Sequence, residues 1–505
     1  MWLATAERPR LATLQTDPQA DLAVDVAVVG GGIVGLTTAL LAQRRGLQVT
    51  VLEAATVGGG TTGYSTGKVT AQHGLIYADL VQRHGENRAR PYAEAMRAGV
   101  EQVADLVSEL KISCDLTRAP ALAYTQLPEQ RSRIEDEARA AARLGLPARL
   151  TDSTDLPFDV EAAVAFDDQL HFHPSRYLAG LANAFIAAGG QIFEGTRVTA
   201  IDEQRDRTVE LTTPTGTVVA NQVVVASLLP PGLLGGYFAR TRPSRSYGLA
   251  VRLRDPAPTS MAIRVDSPGR STRPWLDPGP NGLIVVGNGH ETGAEPDTEA
   301  MYADLESWTR TTFAVEAIDY RWSSQDYFTP DRLPYVGRPP TSKAVLVATG
   351  FQKWGLSSGT AAAMMLADLL DGTDNPWLPV FDATRIGDFR SIGRLIRDNL
   401  KVGQELVAGR RHDPDARPAS ELRLGEGGLV DIDGHTVGGY RDPAGALHTV
   451  SARCSHLGCP LHWNQAETSW DCTCHGSRFS PDGSILDGPA VGPLARPEVN
   501  EPDLG

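Results

Sequence analysis

The segment DVAVVGGGIVGLTTALLA, Asp25 to Ala42, limits what this chain can fold into more than any other stretch. It is as long and apolar as a membrane span, but a run of glycines, Gly30 to Gly32, breaks it, and the patterns on either side differ. VAVVG reads as a short buried strand, IVGLTTALLAQRRG as a helix stopping at Gly46, and LQVTVLEA as a second strand. This frame sets Gly30, Gly32 and Gly35 as G-x-G-x-x-G, with Glu53 closing the second strand. Such glycines allow a tight turn and close approach of a pyrophosphate to the helix N-terminus, where free N–H groups stabilise negative charge. A carboxylate at the spacing of Glu53 accepts hydrogen bonds from a ribose hydroxyl. The expected dinucleotide site therefore comprises Gly30, Gly32, Ile33, Val34, Gly35, Glu53 and Ala54; a glycine turn in another α/β fold is the alternative for the motif alone.

The chain has 505 residues, enough for two to four domains at roughly 100–200 residues each. Its net charge of −14 argues against nucleic acid, which calls for a basic face. The start, MWLATAERPRLATLQTDPQADLAV, lacks an apolar h-region and carries Pro9 and Asp17, so no secretory signal is expected. A cytoplasmic location follows, with reduced thiols and no disulfide unless one is specially protected. Helical patterns run through Ala78 to Leu146 (YAEAMRAGVEQVADLVSEL, EQRSRIEDEARAAARLGL). His171 to Ile201 reads as helix, Gly-Gly stop, strand, and Thr217 to Ser227 as two short strands. Ser244 to His290 alternates with Pro/Gly turns, the pattern of an antiparallel sheet. Lys343 to Leu370 returns to strand, glycine-rich loop and helix. A basic stretch, Arg385 to Ala419, precedes glycine-punctuated short strands, which puts a boundary near 412–420 and a small all-β module beyond it.

The segment EAATVGGGTTGYSTGKVTAQHG, Glu53 to Gly74, resembles the flavin-contacting stretch of the D-amino-acid oxidase-like superfamily, which includes glycine oxidase and the sarcosine and dimethylglycine dehydrogenases. The resemblance continues at HFHPSRYLAGLANAFIAAGGQIFEGTRV, DRLPYVG and ATGFQKWGLSSGT. It implies a Rossmann-type FAD-binding domain (segments about 24–77, 171–235 and 330–372) with an antiparallel-sheet substrate domain (about 78–170 and 240–329), together spanning 1–384. It adds Gly60, Thr61, Thr62, Val198, Gly350, Gly355, Leu356, Ser358, Gly359 and Thr360 to the expected cofactor site. Where the dehydrogenases named above attach flavin covalently through histidine, this chain has Tyr64, and TPDRLP, Thr329 to Pro334, has no neighbouring cysteine. The implied FAD is therefore non-covalent.

CSHLGCPLHWNQAETSWDCTCHGS, Cys454 to Ser477, holds four of the chain's 5 cysteines. C-x-H and C-x-x-H within it could supply four ligands to a tetrahedral zinc. CSHLGC and CTCHGS resemble more closely the two halves of the Rieske signature, and GPAVGPL, Gly488 to Leu494, resembles the proline loop that covers the cluster. That resemblance implies a [2Fe–2S] cluster bound by Cys454 and Cys472 on one iron and His456 and His475 on the other, a disulfide between Cys459 and Cys474, and a Rieske domain over 419–505 behind a helical or basic linker, 385–418. His462 reads as a solvated loop residue and Cys114 as a buried structural cysteine.

A hydride-accepting flavin joined to a one-electron cluster implies a converter: a small amine or amino-acid-like substrate is oxidised at a C–N bond, and electrons leave through the cluster to an external acceptor. A redox-sensing or docking role for the cluster, or a plain oxygen-using oxidase, are the other readings. Lys353 and Trp354 match positions near the reacting edge of the flavin, and Lys68 and His73 flank the GTT segment; ordinary packing or surface charge is the alternative for each. Ser477 is placed to hydrogen-bond a bridging sulfide, whereas Phe479 stands where the respiratory proteins carry a tyrosine that hydrogen-bonds a ligand sulfur. Fewer such bonds lower the potential, so the midpoint is expected below the respiratory clusters, within the Rieske range of roughly −150 to +300 mV. A redox titration placing it at the top of that range would contradict this.

Overall fold

The computed structural model describes residues 1–7, 11–14, 22–386 and 416–497. Leu22–Val29 forms the first strand, and Val26 to Val29 are buried on both faces, as a parallel sheet covered on both sides requires. It lies in an eight-stranded sheet between Gly216–Val225 and Val49–Leu52, all parallel, with Gln191–Phe193 and Val345–Thr349 as the next parallel neighbours. The helices Ile33–Arg44, Pro174–Ala187 and Ser357–Asp371 supply buried residues to a common core with this sheet, among them Val28, Leu36, Leu40, Phe185 and Met365. The glycine turn is sterically compulsory. Gly30 has φ +111°, and a Cβ on Gly35 would sit 1.9 Å from Gly30 O. Where two strands were expected over Thr217 to Ser227, Gly216–Val225 is one continuous strand, because exposed Asn221 breaks the apolar pattern without breaking the backbone pairing.

A second, nine-stranded sheet roofs the first unit. Its strands include Arg242–Leu253, Gly282–Glu291, Arg270–Trp275 and Val315–Phe328. It is antiparallel except where Met261–Arg264 pairs in parallel with Thr117–Thr125. Thr117–Thr125 lies inside the stretch expected to be helical. Pro120 and its run of buried residues hide the strand alternation there. The helix Glu86–Leu110 crosses to the N-terminus of Ser357–Asp371, and Gly99 permits the approach, since a Cβ there would meet Ser357 O at 2.3 Å.

The C-terminal unit consists of two four-stranded sheets. One runs Arg417–Pro418, Glu426–Ile432, His435–Arg441, Leu447–Ser451, and the other Leu461–Asn464, Ser469–Cys472, Arg478–Phe479, Ile485–Asp487. Val450, Leu461, Trp470, Phe479 and Leu494 form its core. His462 is exposed, as expected, but sits on a strand rather than in a loop. The expected linker, 385–418, lies outside the described residues except at its ends. At one end the Arg385 guanidinium pairs with Asp331 at 2.7 Å and lies 4.0 Å over the Tyr335 ring.

Gly35→Ala is expected to destabilise the first unit by about 1–3 kcal/mol, the usual cost of forcing extra volume into a packed site. Thermal unfolding of the variant beside the parent would measure it.

Candidate functional site

The open edge of the first sheet faces a cavity of about 330 Å³, and the roof sheet closes it from above. Of the residues expected to hold a dinucleotide, Gly30, Gly32, Ile33, Val34, Glu53, Ala54, Gly60, Thr61, Thr62, Val198, Gly355 and Leu356 line it. Two helix starts open here, and in neither does the residue at the N-cap, Gly32 or Leu356, cap the helix with its own side chain. Glu53 accepts the N–H groups of Gly31 at 2.7 Å and Ala55 at 2.8 Å, and burial raises its pKa. This cradle fits a pyrophosphate and a ribose. Gly35, Gly350, Ser358, Gly359 and Thr360 do not line the cavity. A Cβ on Gly359 would press Val34 at 2.9 Å, one on Gly350 (φ +80°) would press Thr329 at 2.4 Å, and the hydroxyls of Ser358 and Thr360 turn back onto Trp354 O and Leu356 O. Those five shape the turn and helix behind the wall.

Lys353, Trp354 and Lys68 line the cavity; His73 does not. Lys353 follows Gln352 in a loop where both have positive φ, 73° and 55°. Asp326, also on the wall, pins this loop by accepting Lys353 N–H at 2.5 Å and Tyr327 N–H at 2.7 Å, and burial raises its pKa to about 6. Lys353 Nζ donates to Ser246 Oγ at 2.6 Å; enclosure in the cavity lowers its pKa to about 8 although its accessible surface opens there. Lys68 Nζ donates to Ala262 O and Ser271 Oγ, and burial followed by the Arg273 charge lowers it to about 7. His73 is buried beneath Trp354, its ring stacked at 4.7 Å, with Nδ1 at Tyr92 OH and Nε2 near Thr70 O and Ser357 Oγ. Burial lowers it to about 3, so it is a neutral support for the Trp354 loop.

The expected cluster ligands converge as well. Cys454 and Cys472 are free and buried, and their mutual interaction lowers Cys454 to about 7 and raises Cys472. Backbone N–H groups of His456 and Leu457 and the Ser477 hydroxyl favour the Cys454 thiolate, and those of His475 and Cys474 favour the Cys472 thiolate. The His456 and His475 rings lie 5.2 Å apart at 86°. His456 Nε2 donates to Gly232 O at 3.2 Å, while its Nδ1 is buried with no protein partner. A donor nitrogen left bare beside two inward thiols fits a two-iron cluster. Cys459 and Cys474 form a disulfide, which removes them from any zinc set with the nearby Cys472. Cys114 is buried, its thiol pushed up to about 12 by burial.

The sequence did not reveal that the two sites adjoin. Gly488, Ala490 and Val491, from the loop quoted only as a cluster cover, line the flavin-side cavity together with Leu486 and Asp487 of the strand just before it. On the other wall, Gln325 lines the cavity and donates to Gly476 O at 2.7 Å, and Tyr327 OH lies 3.1 Å from His475 O and 3.2 Å from Gly488 O. Phe238 meets both His456 and His475 edge-on at 5.0 and 4.9 Å. The one local clue was that Gln325, Asp326 and Tyr327 lie just before the TPDRLP motif, separated from it by Phe328 alone.

Lys68 gives a pH test. Its proton is held to about pH 10 in the unfolded chain, against about 7 in the folded one. Between these values the unfolded state binds the extra proton, so the burial penalty shrinks as pH rises. Lys68→Met is expected to raise the melting temperature at pH 6 by roughly 2 °C or more, a gain that vanishes by about pH 10. Differential scanning fluorimetry across that range checks it.

The family model "FAD dependent oxidoreductase" matches residues 25–369, and the model "Rieske [2Fe-2S] domain" matches residues 414–498. The Rieske 2Fe-2S iron-sulfur protein YhfW of Bacillus subtilis (strain 168) is 34% identical over 502 residues, covering 99% of this chain and 97% of that protein. Gamma-glutamylputrescine oxidoreductase of Escherichia coli (strain K12) is 25% identical over 361 residues, 69% of this chain and 84% of that one. The crystal structure of glycine oxidase from Geobacillus kaustophilus shares the fold, with a TM-score of 0.61 at 20% identity over 72% of this chain and 99% of that one. Among the described residues no helix is long and apolar enough to cross a membrane. The chain thus belongs to the FAD-dependent oxidoreductases of the D-amino-acid oxidase-like family and ends in a Rieske [2Fe–2S] domain.

Proposed function

We propose that the chain oxidises a C–N bond of a small amine or amino-acid-like molecule at non-covalent FAD and delivers the electrons, by way of its cluster, to an external acceptor. The observation that carries this reading is the shared wall: residues 486–491 of the Rieske domain and the glycine turn of the flavin domain line one cavity. When bound, FAD supplies a two-electron hydride acceptor and the cluster a one-electron carrier.

In this reading Gly32 and Val34 bring backbone N–H groups to the pyrophosphate, Gly30 and Ile33, whose N–H groups go to Leu52 O at 2.9 Å and Thr62 Oγ1 at 3.2 Å, shape the turn that meets it, and Glu53 accepts from a ribose. The start of helix Ser357–Asp371, at Gly355 and Leu356, presents its positive end to the ring. Tyr64 on the cavity wall, with its carbonyl held by Trp322 Nε1 at 2.9 Å, packs beside the flavin without a bond to it. Lys353 and Lys68 make the roof end positive, which disfavours a protonated amine and keeps the reacting nitrogen neutral. Trp354, fixed from behind by His73, shapes the wall there. Cys454, Cys472, His456 and His475 hold the cluster. Similarity to proteins named for their action on gamma-glutamylputrescine and on glycine supports an amine-type substrate.

In an anaerobic titration with candidate amines, flavin absorbance is expected to bleach first and the cluster signal to follow. Replacing Gln325 by Leu together with Tyr327→Phe should leave the first phase intact and slow the second on the order of tenfold or more, the scale of a small misplacement of reacting partners. A cluster that never exchanges electrons with the flavin would overturn the reading in favour of a sensing or docking role.

A further inference from the structure

Neither lysine in the cavity wall forms an ion pair, although the Asp326 charge reaches Lys353. Lys68 Nζ donates to Ala262 O at 2.9 Å and Ser271 Oγ at 2.6 Å, and Lys353 Nζ donates to Ser246 Oγ at 2.6 Å. An ammonium has three N–H donors, so each keeps at least one for the cavity. Among the described residues no carboxylate lies within 4.0 Å of either nitrogen. The three carboxylates of the wall are engaged elsewhere. Glu53 accepts from Gly31 and Ala55, Asp326 from Tyr327 and Lys353 N–H groups, and Asp487 pairs with Arg478 at 3.0 Å. Desolvation penalises both ammoniums; the Arg273 charge adds to the penalty at Lys68, and the Asp326 charge offsets part of it at Lys353, whose surface opens to the cavity. A desolvated ammonium without a paired carboxylate is complementary to an anion brought from outside.

The sheet fixes how far apart the two anchors stand. Gly248, Val286 and Ser271 are direct neighbours across three strands, and Ser246 lies two residues before Gly248 on the same strand. Ser246 and Gly248 pair with Ser324 and Trp322, alternate residues of the next strand, and all of these except Ser271 line the cavity. At about 4.8 Å between strands and about 3.3 Å per residue, Ser246 and Ser271 are roughly 12 Å apart on one face. The floor between them is apolar: Val286, and the Trp322 indole, which would lie 2.6 Å from a Cβ on Gly248.

We infer that the substrate is an amine carrying two carboxylates, one received by Lys68 beside Ser271 and the other by Lys353 beside Ser246, with the C–N bond to be oxidised between them. This rests on the amine-oxidising reading above and narrows its substrate class. A single ammonium would orient one end of a molecule, whereas two at opposite ends of an apolar floor set both its length and its direction over the site.

The test uses the holoprotein and non-oxidisable probes, a ladder of α,ω-dicarboxylates from succinate to suberate beside acetate, butyrate and tert-butylamine, which has no α-hydrogen to give. Binding is read from the perturbation of the flavin absorbance spectrum. One chain length is expected to bind at least tenfold more tightly than the monocarboxylates, and tert-butylamine more weakly still. Lys68→Met and Lys353→Met should each reduce that dicarboxylate to monocarboxylate affinity, and Lys68→Arg and Lys353→Arg should restore most of it. Monocarboxylates or tert-butylamine binding as tightly as every dicarboxylate, or both Met variants binding the dicarboxylate undiminished, overturns the inference. If a Met variant loses its flavin, the ladder on the unsubstituted protein decides alone. Failure of the amine-oxidising reading is a separate result, namely flavin that dithionite reduces and no amine does, and the ladder does not depend on it.

Discussion

Strand alternation at the end of Val315–Phe328 joins the two halves of this molecule. Gln325 and Tyr327 direct their side chains to the loop carrying His475 and Gly476, and Asp326 between them holds the backbone of Lys353. All three are buried, and Gln325 is itself anchored by the Thr292 hydroxyl on its carbonyl oxygen at 2.8 Å. Leaving one such buried group unsatisfied costs about 1–3 kcal/mol, so parting the units would strand several polar groups at once. Three consecutive residues thereby tie the lysine loop and the cluster loop to the same rigid strand. The pairing of that strand with Arg242–Leu253 along its length makes this point stiff.

Around that connection the C-terminal unit is closed against water. Cys459 and Cys474 are 1% and 6% exposed, which supplies the protection a disulfide needs in a reducing compartment. The His456 and His475 edge is turned to Gly232 and Phe238 of the flavin domain. Arg245, 1% exposed on the roof sheet, adds a charge contact to Glu467 at 3.5 Å, and Tyr302 donates to the same carboxylate at 2.8 Å. Polar contacts of this density specify one docking geometry more than they add net stability.

The cavity is charged in a graded way. At the glycine-turn end, backbone N–H groups and Glu53 suit a pyrophosphate and a ribose; at the roof end, Lys68 and Lys353 are held at a desolvation cost, hydrogen-bonded to serine hydroxyls and a carbonyl, with the Asp326 charge offsetting part of the cost at Lys353. Such a cost persists in folded proteins chiefly where binding or catalysis uses it. His73, by contrast, has its ring nitrogens occupied by protein groups and no face on the cavity, and its strongly lowered pKa reflects burial alone in effect.

Much of this was written locally. The G-x-G-x-x-G turn, Glu53 at the end of the next strand, and the paired C-x-H and C-x-x-H segments each depend on side chains a few residues apart, so spacing alone carries their chemistry. The strand Thr117–Thr125 was missed because a strand with most of its residues buried loses the alternation that marks an edge or half-buried one. What no spacing could convey is juxtaposition. Gln325 and Gly476 are separated by 151 residues, Lys68 and Ser271 by 203, and His456 and Gly232 by 224. The local code determined which residues can hold a flavin and a cluster. Only the packing of two sheets against a third unit decided that residues of the Rieske domain form part of the flavin-side cavity wall, because contacts between distant segments arise from the fold as a whole.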